Sequence, residues 1–436
     1  MVFEPKTDIT TTRLNLNHIG MKNILFKTAI YFTSILTLIN SSCSKSGNDN
    51  LPAEPVPINL TAEQVSLIRS ENLFAFDIFR EIIRKAGESE NVIISPLSIS
   101  YALSMTLNGA SGATRDSMLK ALRLSGITPE VINESYKNLT SALLSVDKRV
   151  LIKIANSVWT ENDFIVKQAF IKILKDYYNA ESKSFDINDP TAPGKINTWI
   201  EDKTNGLIKE MVDKLNDNTV MLLINAIYFK GKWKSLFDKT KTVQESFYKP
   251  GGSSADIPMM KQKGDFSVYL GNGFILAEFP YGQGNFVMNI VLPDEQDGLS
   301  ALVPLLNDTN FNEWIGLMSK REIDLSFPRF KYGYKKQLKE ILSLMGMEIT
   351  FNDGADFSNI SDQYDLLIND VTHQAFIETN EEGTEAAAAT IVDIGLTSMP
   401  PAPLVLKLDH PFIYLIRETT TNSIIFMGRV TDPSAN

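Results

Sequence analysis

Apolar residues recur at helical spacing from Thr61 to Arg84, with Leu67, Phe74, Ile78 and Ile82 on one stripe, and Thr61-Ala62-Glu63-Gln64 supplies a capped start. The pattern predicts an amphipathic first helix. Asn91-Val92-Ile93-Ile94-Ser95-Pro96 then reads as a short buried strand stopped by Pro96, and Leu97 to Asn108 as a largely apolar helix that belongs deep in a core. Leu151 to Trp159, Val220 to Phe229, Phe286 to Leu292 and Glu322 to Phe327 are strand-like, and Lys167 to Tyr177 and Ile196 to Val212 are helical. Helix and strand interleave without the strict alternation of a parallel βαβ array, which favours an α+β fold with mixed sheets. No charge run, repeat or low-complexity linker divides the chain after Thr61.

One segment departs from these patterns. In Glu381-Glu382-Gly383-Thr384-Glu385-Ala386-Ala387-Ala388-Ala389-Thr390 and the following Ile391 to Leu396, period two gathers Thr384, Ala386, Ala388, Thr390, Val392, Ile394 and Leu396 on one face. Glu385, Asp393 and Gly395 fall on the other. The alanines are also strong helix formers. The β-branched Ile391 and Val392, with Gly395 behind them, tip the reading toward a strand. Thr397-Ser398-Met399-Pro400-Pro401-Ala402-Pro403 follows as an exposed, extended segment, so the whole reads as a loop that waits to become a strand.

The N-terminal pattern is an address. From Met21 the order is Lys22, Lys27, an apolar run from Ala29 to Ile39, then Asn40-Ser41-Ser42 and Cys43. This is the logic of a bacterial secretory signal over 21–42, too short for a membrane span. Residues 1–20 read as an over-extended start. Cys43 stands where a lipoprotein cleavage site would place its lipidated residue, with ordinary signal cleavage nearby as the alternative. Residues 43–60 then form the lipid anchor and a flexible tether.

Composition narrows the chemistry. The chain has 436 residues, 43 % hydrophobic and 22 % charged, enough for a large core. A net charge of −10 with no basic stripe argues against a nucleic-acid partner. A single cysteine excludes an internal disulfide, and three histidines, His18, His373 and His410, exclude a His-rich metal centre. A Ser/His/Asp triad would need His373 or His410, and no nucleophile elbow, zincin helix or phosphate loop is present. Gly282-Gln283-Gly284 reads as a turn.

Five stretches in order carry a family likeness: Asn91 to Ile99, Asn225 to Trp233, Leu292 to Glu295, Phe351 to Ser358, and Glu381 to Thr390. Together with His410-Pro411-Phe412 through Phe426 to Val430, they resemble the successive signatures of the serpins. The resemblance implies a serpin domain over 61–436, α+β, with three mixed or antiparallel sheets, about nine helices and an exposed reactive-centre loop at about 381–403.

Carried over, it makes Glu381, Gly383, Thr384, Glu385, Ala386, Ala387, Ala388, Ala389 and Thr390 the hinge, with Thr384 first to enter the sheet. The register puts the cleaved bond between Thr397 and Ser398; a long link from Pro401 to Pro411 leaves Leu396 and Met399 as alternatives. Ser95, Ser98, Asn225 and His373 become a polar cluster where the sheet opens, read as a buried hydrogen-bond network in preference to a hydrolase site. Trp233 becomes the aromatic above it, and Arg329 the basic partner of Glu381.

The resemblance further implies an irreversible inhibitor of serine, and also cysteine, endopeptidases, with elastase-like or subtilisin-like targets favoured. The alternative is a non-inhibitory surface binding protein of the same fold. Neither is an enzyme, and neither needs a cofactor or metal. The expected partner is a target protease held as a covalent acyl complex, with a membrane contact through the lipid anchor only. The expected form is a monomer, exported and anchored at the cell envelope or secreted.

Overall fold

Thr61 caps the first helix reciprocally: its hydroxyl accepts from the Gln64 amide at 3.3 Å, and the Gln64 side chain accepts from the Thr61 amide at 2.9 Å. This computed structural model describes residues 54–363, 365–383 and 402–435. The elements begin with α1 (Ala62–Lys85), β1 (Val92–Ile94), α2 (Pro96–Leu107), α3 (Gly112–Ala121), α4 (Pro129–Ser145), β2 (Val150–Glu161), α5 (Gln168–Tyr178) and β3 (Glu181–Phe185). They continue with α6 (Ala192–Lys203), β4 (Met221–Gly231), β5 (Val243–Tyr248), β6 (Ser254–Leu270), β7 (Phe274–Tyr281) and β8 (Phe286–Pro293). Last come α7 (Leu299–Leu302), α8 (Asp308–Gly316), β9 (Ser319–Pro328), β10 (Phe330–Gln337), α9 (Lys339–Leu342), β11 (Thr372–Thr379), β12 (Leu404–Lys407), β13 (Phe412–Glu418) and β14 (Ile424–Val430).

Three sheets result. One has 9 strands in the order β1-β14-β13-β8-β7-β6-β9-β12, with β5 paired to β6 off that path. Its β8, β13 and β14 are buried at every position, which is why their sequences run apolar without alternation. The second has 3 strands, β3-β2-β4, with β2 parallel to β3 and antiparallel to β4. The third is the antiparallel pair β10-β11. The α+β class and the three mixed or antiparallel sheets follow the expectation, and among the described residues there are nine α-helices.

Pro96 ends β1 and starts α2 in one step. It sits at the first helical turn, where its missing N–H leaves no gap in the ladder, and Ser95 caps the helix by accepting from the Ser98 amide at 3.2 Å. The helix contacts β4 and β14, and its buried positions include Ser98, Ser100 and Ser104. Around α6 a second core gathers Trp159, Phe185, Ile196, Trp199, Ile200 and Ile224, which seats that helix on β2 and β4.

Two expectations need correction. The helix read over Ile196 to Val212 ends at Lys203, because Asn205 and Gly206 take φ of 53° and 79°, left-handed values that no α-helix continues through. The tether read over 43–60 is tied down at its far end. Val56 donates to Asn285 Oδ1 at 2.8 Å and accepts from Asn285 Nδ2 at 2.8 Å, and Ile58 donates to Thr420 Oγ1 at 3.1 Å. Backbone bonds to a buried amide leave no mark on the pattern of side chains, so the sequence read this stretch as free.

Candidate functional site

The two smaller sheets present facing edges. β4 pairs with β2 alone and β11 with β10 alone, and no ladder joins β4 to β11 among the described residues. Met221 to Asn225 of β4 and Thr372 and His373 of β11 instead line one shared cavity of about 730 Å³. Ser98, Ile99 and Ala102 of α2 line it as well. At the other end the strands' continuations meet, where Lys232 bridges to Gly383.

Beneath the cavity, α2 bonds to each half separately. The Ser95 amide donates to His373 Nε2 at 3.0 Å, and the Ser95 hydroxyl donates to the Ile425 carbonyl at 2.8 Å. Ser98 Oγ bonds Asn225 Oδ1, and Asn225 Nδ2 donates to Asn156 Oδ1 at 2.6 Å. Asn156 Nδ2 donates onward to the Tyr178 carbonyl at 2.6 Å. Ser95, Ser98, Asn225 and His373 are all buried. Burial pushes the His373 pKa down to about 3, and an Nε2 that accepts a hydrogen bond puts the ring proton on Nδ1. His373 is therefore a neutral acceptor with its accepting nitrogen on a backbone amide, and among the described residues no serine hydroxyl bonds that nitrogen.

His410 does not supply a triad either. Its Nδ1 lies 2.8 Å from Asp409 Oδ1, but its Nε2 lies 2.8 Å from the Pro293 carbonyl oxygen, an acceptor that holds the ring proton in place.

At the upper end the chain turns back on itself. Asn380 and Gly383 exchange backbone bonds of 3.1 Å in both directions, closing a tight turn over Glu381 and Glu382. Gly383 has φ of 104°, and a Cβ there would stand 2.3 Å from the Gly231 carbonyl oxygen and 2.5 Å from the Trp233 nitrogen. Both conditions demand glycine. The turn is pinned to the end of β4 by Trp233 N donating to the Glu382 carbonyl at 3.1 Å, Phe237 N to the Glu381 carbonyl at 3.0 Å, and Trp233 Nε1 to the Asn380 carbonyl at 2.9 Å. The Trp233 ring stacks on Tyr281 with centroids 4.4 Å apart and planes 9° from parallel.

Side chains complete the clamp. Arg329 Nε donates to Glu381 Oε1 at 2.8 Å, with Arg329 Nη2 and Thr242 Oγ1 on the same oxygen. Burial opposes ionisation of Glu381, yet these hydrogen bonds hold its carboxyl below the usual range. Glu382 pairs with Lys239.

The structure thus brings Ser95, Ser98, Asn225 and His373 together at one end of the gap, and Trp233, Arg329, Glu381 and Gly383 at the other. Thr384, Glu385, Ala386, Ala387, Ala388, Ala389, Thr390, Leu396, Thr397, Ser398, Met399 and Cys43 lie outside the described residues. Asn156 was missed from the sequence, although a polar Asn-Ser pair in the middle of the apolar β2 was the available signal. Glu71 was missed too. It is buried on α1, bonded by Ser100 of α2 and Tyr136 of α4, and desolvation pushes its pKa up to about 7 against those two hydrogen bonds. Among the described residues no cluster of His, Cys, Asp or Glu could hold a metal, and no helix is long and apolar enough to cross a membrane.

This architecture has known counterparts. The family model described as Serpin (serine protease inhibitor) matches residues 69–433. Serpin B3 of Homo sapiens is 36 % identical over 393 residues, covering 84 % of this chain and 100 % of that protein. The native structure of the thermophilic serpin tengpin superposes with a TM-score of 0.78 at 32 % identity, covering 88 % of this chain and 98 % of that one. Human thyroxine-binding globulin gives 0.79 at 26 %, covering 86 % and 100 %. A family match across nearly the whole described body, on a fold with the same sheets, means that the chain belongs to the serpin family.

Proposed function

We propose that this chain is an irreversible suicide-substrate inhibitor of endopeptidases, of the serine class and also the cysteine class, and not an enzyme. The observation that carries the reading is the pair of facing, unladdered edges of β4 and β11, with the loop leaving β11 through the glycine turn at one end of the same gap. A strand placed there would find backbone partners on both sides.

The loop beyond Gly383 suits that place. Thr384, Ala386 and Ala388 are too small to obstruct entry, and Val392, Ile394 and Leu396 give later positions something to bury. A target's nucleophile attacks the Thr397 carbonyl, the Ser398 amine leaves, and Thr397 remains as an acyl ester, or a thioester on a cysteine protease. Insertion from Thr384 onward then carries the acylated protease away before water attacks. Each ladder bond contributes about 1 kcal/mol and each of the three apolar side chains about 1.5–3 kcal/mol, against the entropy of ordering the loop.

No Lys or Arg lies between Glu385 and Leu406, so elastase-like or subtilisin-like targets fit better than trypsin-like ones. Leu396 and Met399 are the alternative cleavage positions. We further infer export through the signal at 21–42, with Cys43 lipidated at the cell envelope or the chain secreted, and a monomeric body. The similarity to thyroxine-binding globulin favours a second reading, a non-inhibitory surface binding protein.

One experiment separates the two. Mature protein is mixed with elastase and with subtilisin, and the products are run on a denaturing gel and weighed. The inhibitor reading expects a band at the summed mass and a released peptide that begins at Ser398; Thr384→Arg abolishes the band and turns the chain into a substrate. Clean cleavage of the parent with no covalent band refutes inhibition of these enzymes and leaves the binding reading.

A further inference from the structure

β12 is held to its sheet by little backbone. Its four residues pair with β9 alone, Leu404 to Lys407 opposite Ile323 to Ser326, and its other edge carries no ladder among the described residues. The residues after the strand add to the hold. The Leu408 amide donates to the Ser326 carbonyl at 3.0 Å, and the Tyr248 amide of β5 donates to the Asp409 carbonyl at 2.7 Å. His410 then sits between two acceptors, with Nδ1 2.8 Å from Asp409 Oδ1 and Nε2 2.8 Å from the Pro293 carbonyl oxygen at the end of β8. A neutral ring has one N–H and satisfies one of them; the imidazolium satisfies both.

The place of β12 gives that pairing a consequence. β9 runs on into Arg329, the partner of Glu381, so β9 and the β12 beside it lie at the upper end of the gap. A loop uncut by protease is fixed at both ends. Were residues 384–396 to enter the gap as a strand, they would reach about 43 Å down it, whereas residues 397–403 span at most about 25 Å on the way back. Entry of the uncut loop therefore requires β12 to leave its sheet, and the bait is then lost.

We propose that His410, bridging Asp409 to the Pro293 carbonyl, is a pH-sensitive positioning residue that keeps β12 in its sheet and so keeps the uncut loop available to its target. The inference rests on the inhibitory reading and deepens it. The charges around the ring are Asp409, Lys407 of β12 at 3.3 Å from Asp409, Glu245 of β5 at 3.6 Å from Lys407, Lys261 of β6 at 2.6 Å from Glu245, and Asp294 after β8. Burial works against the charged ring, and Asp409, the Pro293 carbonyl and Asp294 more than offset it, so the His410 pKa lies above 6.5. The hold is full below pH 6.5 and is lost as pH rises through the raised value.

The test incubates the intact mature chain at pH 6.5 to 9, warm enough for conversion within a day, and follows the appearance of an uncut form that resists urea. The switch predicts conversion about tenfold faster at the alkaline end than at pH 6.5, the effect of one charge-assisted hydrogen bond. His410→Gln should convert fast at every pH, and Asp409→Asn, which removes the carboxylate that favours the charged ring, should move the rise to lower pH. Carbon signals of the histidine rings give a second readout that needs no conversion, because the chain from Cys43 onward has only His373 and His410. His410 should titrate above 6.5 while His373 stays neutral.

A flat profile, a parental profile in His410→Gln, or a His410 ring that titrates at or below 6.5 overturns the switch. So does an uncut chain that never converts although the cleaved chain melts higher than the intact one. A cleaved chain that melts no higher overturns the inhibitory reading itself, and that control tells the two failures apart.

Discussion

Two buried groups titrate in opposite directions, and their balance makes a testable pH profile. His373 is neutral in the fold, with its pKa pushed from 6.5 down to about 3 by burial. A base lowered in this way gives stability that is full above 6.5 and lost as pH falls toward 3. Glu71 does the reverse. Its pKa is raised from 4.5 to about 7, so its contribution is full below 4.5 and lost as pH rises toward 7. Each slope is about 1.4 kcal/mol per pH unit, for totals of about 5 kcal/mol for His373 and about 3 kcal/mol for Glu71. Between pH 4.5 and 6.5 the two slopes oppose and cancel. Other shifted groups act at the edges of this window. Carboxylates held low, such as Asp409 and Glu181, act below it, and His410, whose pKa is raised by Asp409 and Pro293 against burial, acts above it. Urea unfolding of the intact chain at half-unit steps from pH 4 to 7.5 is the assay. Glu71→Gln should gain on the parent by about 3 kcal/mol from pH 4.5 to 7, and His373→Gln should gain steadily as pH falls below 6.5. Taking variant minus parent removes any background common to both, including that of Asp308, which burial raises. A Glu71→Gln profile that runs parallel to the parent across this window would show that Glu71 titrates as in water, and the reasoning would be wrong.

Other substitutions probe the upper clamp. Gly383→Ala meets backbone atoms of Gly231 and Trp233 that cannot swing aside, so the turn must lift and lose bonds to Trp233 and Phe237. The expected cost to the intact chain is about 2–4 kcal/mol, read by urea unfolding, and an unchanged midpoint would sink this account of the turn. Arg329→Ala strips Glu381 of its guanidinium and should cost about 1–3 kcal/mol at pH 7, a loss that fades on acidification below pH 4.5 because the carboxyl is held low only in the fold. Trp233→Phe keeps the stack on Tyr281 but removes the indole bond to Asn380, and should lower stability by about 1 kcal/mol, measured the same way.

Local signals carried much of the fold. The Thr61-to-Gln64 box and the Ser95-Pro96 boundary each involve groups within a few residues, and both stand where the pattern put them. The end of α6 was also written locally, in Asn205-Gly206, but Met211 and Val212 kept helical spacing beyond it and masked the stop. The long-range contacts were a different matter. Glu71 meets Ser100 and Tyr136 across 29 and 65 residues, and Asn156 meets Asn225 across 69. Nothing in the periodicity of α1 marks a buried acid as paired. The cluster of Ser95, Ser98, Asn225 and His373 was legible only because a family likeness put distant positions side by side.

The arrangement of that cluster bears on how a divided sheet can stay folded. No hydrogen bond runs directly from His373 to Asn225 among those described; each is bonded to α2, His373 through the Ser95 amide and Asn225 through the Ser98 hydroxyl. At this level the halves are therefore joined through a helix beneath them and not along the strand edges. Widening the gap would strain two buried hydrogen bonds at this level instead of a full ladder, a difference of several kcal/mol at about 1 kcal/mol per bond. Neutrality of His373 matters for the same reason, because a charged ring would be expensive to bury and would draw water into the gap. Above, the turn at Glu381 to Gly383 closes the top with three backbone-directed bonds and one buried carboxylate, so the upper end of the gap is held more firmly than the lower. A gap easy to widen below and guarded above is what a sheet needs if it is to wait, intact, for a strand that arrives from the top.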